Sequence, residues 1–267
     1  SFSSFPKNAE ELSVHIRQKV LDKNDNWHYH FTYQSEPDWR LSGKLTGNVK
    51  TEQSPAPTVI YLRTATDQNG LNSASILNGL DDSFCHARID VRGTGVTSWG
   101  TALDWYIRRS SALMGRTVAS MRIWDTLRGI DAIRSFSEVD ENQIILAGEG
   151  EMAVVALYAA FLDGNISSVI LKNPPATLEA QSIGANPDQH IEIINSLRHT
   201  DLGELAGFLW PTKVIFVGNR PKTYRQAEEI HQTLGAPGGT WRVKTLAHGP
   251  LTNSSDDLVR HSTSSSL

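Results

Sequence analysis

Apolar positions fall into two repeats along this chain, and the change from one to the other marks out the predicted elements. From Phe5 to Asp22, Leu12, Ile16 and Val20 recur every four residues, the stripe of a peripheral helix. Asn8 stands as its N-cap after Pro6, with Glu10 and Glu11 in the first turn and Arg17 and Lys19 toward the end. From Trp27 the pattern alternates instead: Trp27, Tyr29, Phe31 and Tyr33 share one face of an antiparallel strand. His28 and His30 share the other face, where solvent exposure is the plain reading; a metal pair lacks a third ligand nearby in sequence. Leu41 to Val49 reads as the second strand, and Glu52 to Pro57 as a surface loop.

Beyond the loop the pattern changes again, to short continuous apolar runs of the kind found in parallel strands covered on both faces. Thr58–Arg63 is the first, then Cys85–Val91, Ile144–Leu146, Ser168–Lys172 and Lys213–Val217, with Trp241–Leu246 leading into Ala247-His248-Gly249. Helical segments are predicted around Ser73–Gly79, across Ser111–Ser135, from Met152 to Ala160 and through Tyr224–Leu234; Trp99, Trp105 and Tyr106 fall in a long irregular insertion, and Ser137–Asn142 in a polar connector. Five parallel-type strands alternating with helices, after a short antiparallel start, define an open α/β sheet. The expected organisation is a helical lead-in over 1–26, the α/β domain over 27–251 and a polar, serine-rich tail over 252–267.

Composition narrows the function classes. The chain has 267 residues, 39% hydrophobic and 20% charged, enough for one large domain of ordinary globular make-up. A net charge of −4 gives no reason to expect nucleic acid or an anionic membrane as partner. No apolar run approaches the ~20 residues of a membrane span, and no signal-peptide pattern opens the chain. Its start at Ser1 is expected of a chain processed or excised from something longer. The single Cys85 excludes an internal disulfide framework and reads as an inert buried thiol.

In an open α/β sheet the functional loops lie at the carboxyl ends of the strands. That brings Arg63-Thr64-Ala65, Asp90–Gly95, Gly148–Met152, Asn173–Pro175, Gly218–Pro221 and Ala247–Gly249 into view. The third carries the strongest local signal. A strand through Leu146, a Gly-x-Gly turn and a helix of small and aliphatic residues make the shape of a nucleophile elbow. The residue at its apex is Gly150, where a hydrolase of this type would present a serine. Glu149 and Glu151 flank it. They read as exposed or salt-bridged structural groups, with a carboxylate nucleophile as the alternative. A metal site made of Glu149, Glu151 and His248 has no support from spacing. Arg92 pairs near its strand end in one reading and meets a substrate carboxylate or sugar hydroxyl in the other. Trp99, Trp105 and Tyr106 either stack on a sugar ring or cover the core. Gly93-Thr94-Gly95 lacks the context of a phosphate-binding loop.

Asp90-Val-Arg-Gly-Thr-Gly95, the Arg116…Arg122-Ile-Trp-Asp125…Asp131 segment, Ser135–Asp140 and the elbow together resemble the α/β-hydrolase superfamily. Within it the likeness is to the acetyl xylan esterase and dienelactone hydrolase-like branch, over roughly Trp27 to Pro250. The opening Phe5–Leu12 resembles the lead-in to the second, worn half of tandem bacterial esterase-like proteins. The resemblance implies a mostly parallel sheet with helices on both faces, and a Ser, acid and His triad in that chain order. His248 matches the histidine. The acid position falls at Asn219-Arg220 and holds no carboxylate, and the serine position is Gly150. Arg63, Thr64, Arg92 and Trp99 occupy the family's substrate side. The resemblance further implies no cofactor, an ester or acetylated polysaccharide as ligand, a sister esterase domain or a second copy as partner, and a periplasmic or secreted setting. Two functions follow: an esterase-like domain without hydrolysis, or a working carboxylic-ester hydrolase using Glu149, Glu151 or a residue of a partner chain, with His248 as base.

Overall fold

The computed structural model describes residues 5–6, 11–52, 54–65, 67, 83–179, 191–235 and 240–243. Nine strands form one sheet: β1 His15–Leu21, β2 Asn26–Glu36, β3 Trp39–Asn48, β4 Ala56–Leu62, β5 Cys85–Ile89, β6 Val139–Glu149, β7 Ser168–Lys172, β8 Lys213–Val217 and β9 Thr240–Val243. Their order is β1-β2-β3-β5-β4-β6-β7-β8-β9. The first three strands are antiparallel, and β3 joins β5 antiparallel. In sheet order from β5 to β9 the six strands run parallel, the five alternating runs and the Trp241 strand that follows them. Five helices are described: α1 Gly100–Leu113, α2 Val118–Arg134, α3 Glu151–Asp163, α4 Leu202–Phe208 and α5 Arg225–Thr233. Among the described residues no helix is long and apolar enough to cross a membrane.

Pattern and structure part company at the start of the chain. Residues 15–21 form an exposed edge strand paired to β2, not the second half of a helix. A four-residue repeat is also an even-numbered repeat, so the spacing of Leu12, Ile16 and Val20 admits a strand as well as a helix; in the strand a register shift between Ile16 and Gln18 sets Ile16 opposite Phe31 and Val20 opposite His28, on different faces. Pairing to the alternating β2 decides between strand and helix, through backbone hydrogen bonds that a helix at this place would leave unmade. The proposed cap residue Asn8 lies outside the described residues, as do Ser73–Gly79 and the tail.

Three further expectations change for local reasons. The aromatic insertion holds the 14-residue helix α1, on which Trp105 and Tyr106 are exposed and meet edge to face. Helix α2 begins at Val118 rather than near Ser111. Gly115 breaks the backbone at φ 74°, and Thr117 and Ser120 then cap each other reciprocally, with both hydrogen bonds at 3.0 Å. The polar stretch before the elbow is drawn into β6, whose register slips between the Ala56 and Thr58 pairings so that Asp140–Gln143 bulge outward.

Each face of the sheet carries a core. The larger lies under α2, α3 and α4, where Trp27, Tyr29, Phe31 and Tyr33 point inward as the alternation predicts. Met152 to Ala160 are all buried, so α3 is apolar all round and fills the middle of that core. The smaller core holds Val59, Tyr61, Phe84, Ala147, Ile170, Ile215 and Val217. Cys85 is fully buried, and burial pushes its thiol up to about 11, which keeps it inert.

Helix α5 contributes a buried histidine. His231 is 1% exposed, and its Nε2 donates to the Ala206 carbonyl oxygen at 3.3 Å. Burial lowers its pKa from 6.5, so the folded state releases a proton that the unfolded chain keeps. The stability from neutral His231 is therefore complete above the unfolded pKa and is lost as pH falls through 6.5 toward the folded value. The loss of melting temperature between pH 7.5 and 5.5 is expected to be smaller in His231→Gln than in the parent; an equal loss would contradict this assignment.

Candidate functional site

The turn from β6 into α3 has the geometry that the sequence predicts. Gly150 sits at the apex with φ 55° and ψ −119°, and α3 starts at the next residue. Its N–H donates to the Lys172 carbonyl oxygen at 2.9 Å, and its own carbonyl accepts from Ala153 at 3.1 Å, so the apex is anchored on both sides. Any residue with a side chain would hold this backbone conformation at a cost of about 1–3 kcal/mol.

The two glycines of the turn are there for opposite reasons. A Cβ at Gly148 would come within 2.2 Å of the Met152 carbonyl oxygen, so glycine is what lets strand and helix touch. Met152, which stands where a small residue is usual, does not obstruct this approach; its side chain is fully buried in the larger core. Among the described residues, a Cβ at Gly150 would meet nothing within 4 Å. The apex carries no side chain.

Both flanking glutamates are held by cations. Glu149 pairs with Lys172 at 3.0 Å, where the register of β6 and β7 sets the two residues side by side. Glu151 pairs with Arg122 at 3.0 Å. The Arg122 guanidinium is 7% exposed, donates through Nε to the Arg92 carbonyl oxygen at 3.0 Å, and lies 6.0 Å from the Trp99 ring. One arginine thus ties the loop after β5 to the first residue after the elbow. It also borders a narrow cleft lined by Arg108, Val118, Glu151, Val155 and Glu192. Since Glu149 and Glu151 turn to different cations, they form no shared ligand pair, and among the described residues no cluster of three metal-binding side chains occurs.

The loop after β5 is fixed from beneath by a buried ionic network. Arg92 donates to both Asp125 oxygens, at 2.6 and 2.7 Å, and to Glu36 at 2.8 Å. Arg116 clasps Glu36 from the other side at 2.6 and 3.0 Å. Burial opposes ionisation of Glu36, but the hydrogen bond from Arg116 and the charge of Arg92 outweigh it and hold the carboxyl at about 2. The Arg92 guanidinium, 8% exposed, is held below the loop by Asp125 and Glu36. Arg63 reaches the Asp67 carbonyl oxygen at 2.7 Å and Asp90 at 3.4 Å, and Thr64 beside it is buried. Trp99 donates to Asp104 at 3.1 Å and packs against Gly93, where a Cβ would lie 2.5 Å from its ring.

At the remaining strand ends, Asn173 takes a left-handed conformation at φ 46° and accepts the Asn219 backbone N–H on Oδ1 at 2.9 Å. This stitches the loops after β7 and β8 together, with Gly218 leaving the space. Asn219 is exposed. His248 lies outside the described residues. Lys172 is the residue that sequence reasoning passes over, since it closes an apolar strand run and carries no motif; Arg122 and Asn173 are in view, in the segment that carries the resemblance and in a strand-end loop, but without an assigned role.

A parallel sheet with an antiparallel start, helices packed around it and a glycine turn into a buried central helix make up the α/β-hydrolase fold, and this chain has that fold. No family model matches the chain, and no curated protein matches it in sequence. Among solved structures it is similar to the acetyl xylan esterase from Paenibacillus sp. R4, at 16% identity and a TM-score of 0.64, over 94% of this chain and 87% of that one. It is also similar to Acetyl Xylan Esterase 1 from Thermoanaerobacterium, at 14% identity and a TM-score of 0.62, over 94% and 87%. A glucuronoyl esterase from Solibacter usitatus is similar at 13% identity and a TM-score of 0.64, over 86% and 76%.

Proposed function

We propose that this chain is an esterase-like α/β-hydrolase domain, related to carbohydrate esterases, that no longer performs acyl transfer and serves as a supporting or binding domain. The observation that carries this reading is the apex of the elbow. Gly150 keeps the backbone geometry of the turn, with no described residue within 4 Å of where a Cβ would stand, yet offers no oxygen to attack an ester carbonyl. The carboxylates beside it are poor substitutes, each with an oxygen committed to a cation at 3.0 Å. Asn219, at the acid position, would orient a histidine without stabilising its charged form. The acetyl xylan and glucuronoyl esterases among the structural neighbours support the ancestry.

A fluorophosphonate probe, which labels activated serines, tests this. The chain is expected to stay unlabelled under conditions in which an active carbohydrate esterase is labelled fully. Stoichiometric labelling, mapped by peptide mass spectrometry, would overturn the proposal and identify the serine responsible.

A further inference from the structure

The strand registers place two cationic side chains and an imidazole side by side on the face of the sheet opposite α3. His30 on β2 stands directly opposite Lys44 on β3, and Lys44 directly opposite Arg88 on β5. Arg88 is beside Tyr61 on β4. Residues paired in this way project from one face roughly 5 Å apart, so the row spans about 10 Å. Like charges directly opposite one another destabilise a sheet, and opposite charges are the usual arrangement.

The carboxylates nearby do not resolve the conflict. Asp90 is 3.8 Å from Arg88 Nε, and it is shared with Arg63 at 3.4 Å and with the Ser42 hydroxyl at 3.1 Å. Asp22 is occupied by the Asn24 and Asn26 backbone N–H groups and by His28. Among the described residues, the Lys44 side chain makes no hydrogen bond and no ion pair. Arg88 Nε is buried without a hydrogen-bond partner, and so is the hydroxyl of the fully buried Tyr61 at the inner end of the row. Each group also bears on the next. Burial first, then Arg88, lowers the pKa of Lys44 against a smaller opposing pull from Asp22; burial first, then Lys44, Arg88 and His28, lowers that of His30.

We infer that His30, Lys44 and Arg88 form an oxyanion-binding site, taking a phosphate or a sugar-borne carboxylate group. The three side chains offer complementary donors: a planar fork on Arg88, a point charge on Lys44 and an imidazole N–H on His30. A bound anion relieves the repulsion across the row and pairs Lys44. The chemistry admits free phosphate or the uronate units of an acidic oligosaccharide, and the experiment separates them.

The test follows the His30 imidazole by NMR during titration with inorganic phosphate and, separately, with trigalacturonate, against sodium chloride at matched ionic strength. In the parent protein one or both anions are expected to raise the His30 titration midpoint saturably. Saturation by phosphate identifies a free-anion site, and saturation by trigalacturonate alone a uronate site. In Lys44→Gln and in Arg88→Gln the affinity should fall about ten- to a hundred-fold, the loss of one charge-assisted contact. A shift no larger than that of the chloride control, for both anions, overturns the inference. So does unchanged affinity in both variants. If either variant fails to fold, the parent titration alone decides.

Discussion

Asp125→Ala is expected to destabilise the protein by about 3–5 kcal/mol, because it removes one partner of a buried ion pair and leaves the other charged. Asp125 is fully buried and accepts from the Arg92 side chain, the Arg92 backbone N–H at 2.9 Å and the Ser35 hydroxyl at 2.5 Å. With alanine there, Arg92 keeps only Glu36, which is already shared with Arg116. In a chain of this size such a loss corresponds to a melting temperature lower by on the order of 10 °C. Replacing Arg92 and Asp125 together by methionine and leucine should cost less than the two single replacements summed, since no uncompensated charge remains and Glu36 keeps Arg116. Thermal denaturation of the four proteins checks this. Additive losses would mean that the pair is not coupled.

How far the sequence reveals the fold depends on whether one period admits only one element. The alternation of Trp27, Tyr29, Phe31 and Tyr33 admits only a strand, and all four side chains are in the core. The continuous apolar runs of β4, β7 and β8 are equally plain, as is the all-apolar α3. Leu12, Ile16 and Val20 satisfy two periods at once, and only pairing to β2, a long-range fact, selects the strand. Helix α1 stays hidden because its face toward the protein is slight: of the helix's apolar residues, Leu103, Trp105, Tyr106 and Leu113 are all exposed, so no stripe marks it.

The site is legible to a similar degree. Gly148 and Gly150 can be picked out as a turn from the sequence, but their different roles cannot. Gly148 is decided by the approach of the Met152 backbone, which depends on how closely α3 packs on β6, and Gly150 by its positive φ at the apex. The two readings of Glu149 and Glu151 turn on partners 23 and 29 residues away, Lys172 and Arg122, which no local spacing connects. Arg92 is visible as a charge at a strand end. That it faces Asp125 and Glu36 below the loop follows from the packing of α2 and β2 against β5.

The proposed loss of acyl transfer, with Gly150 at the apex of the elbow, carries the prediction with the largest effect. Without the serine of such a triad, turnover should lie about 10⁶-fold below that of an active enzyme, at the level of background. The most direct measurement is hydrolysis of p-nitrophenyl acetate and of acetylated xylan by this chain, beside His248→Ala and an active acetyl xylan esterase. The account predicts that the chain and its His248→Ala variant are indistinguishable from each other and from buffer on both substrates. Turnover above buffer that is abolished by His248→Ala would contradict it.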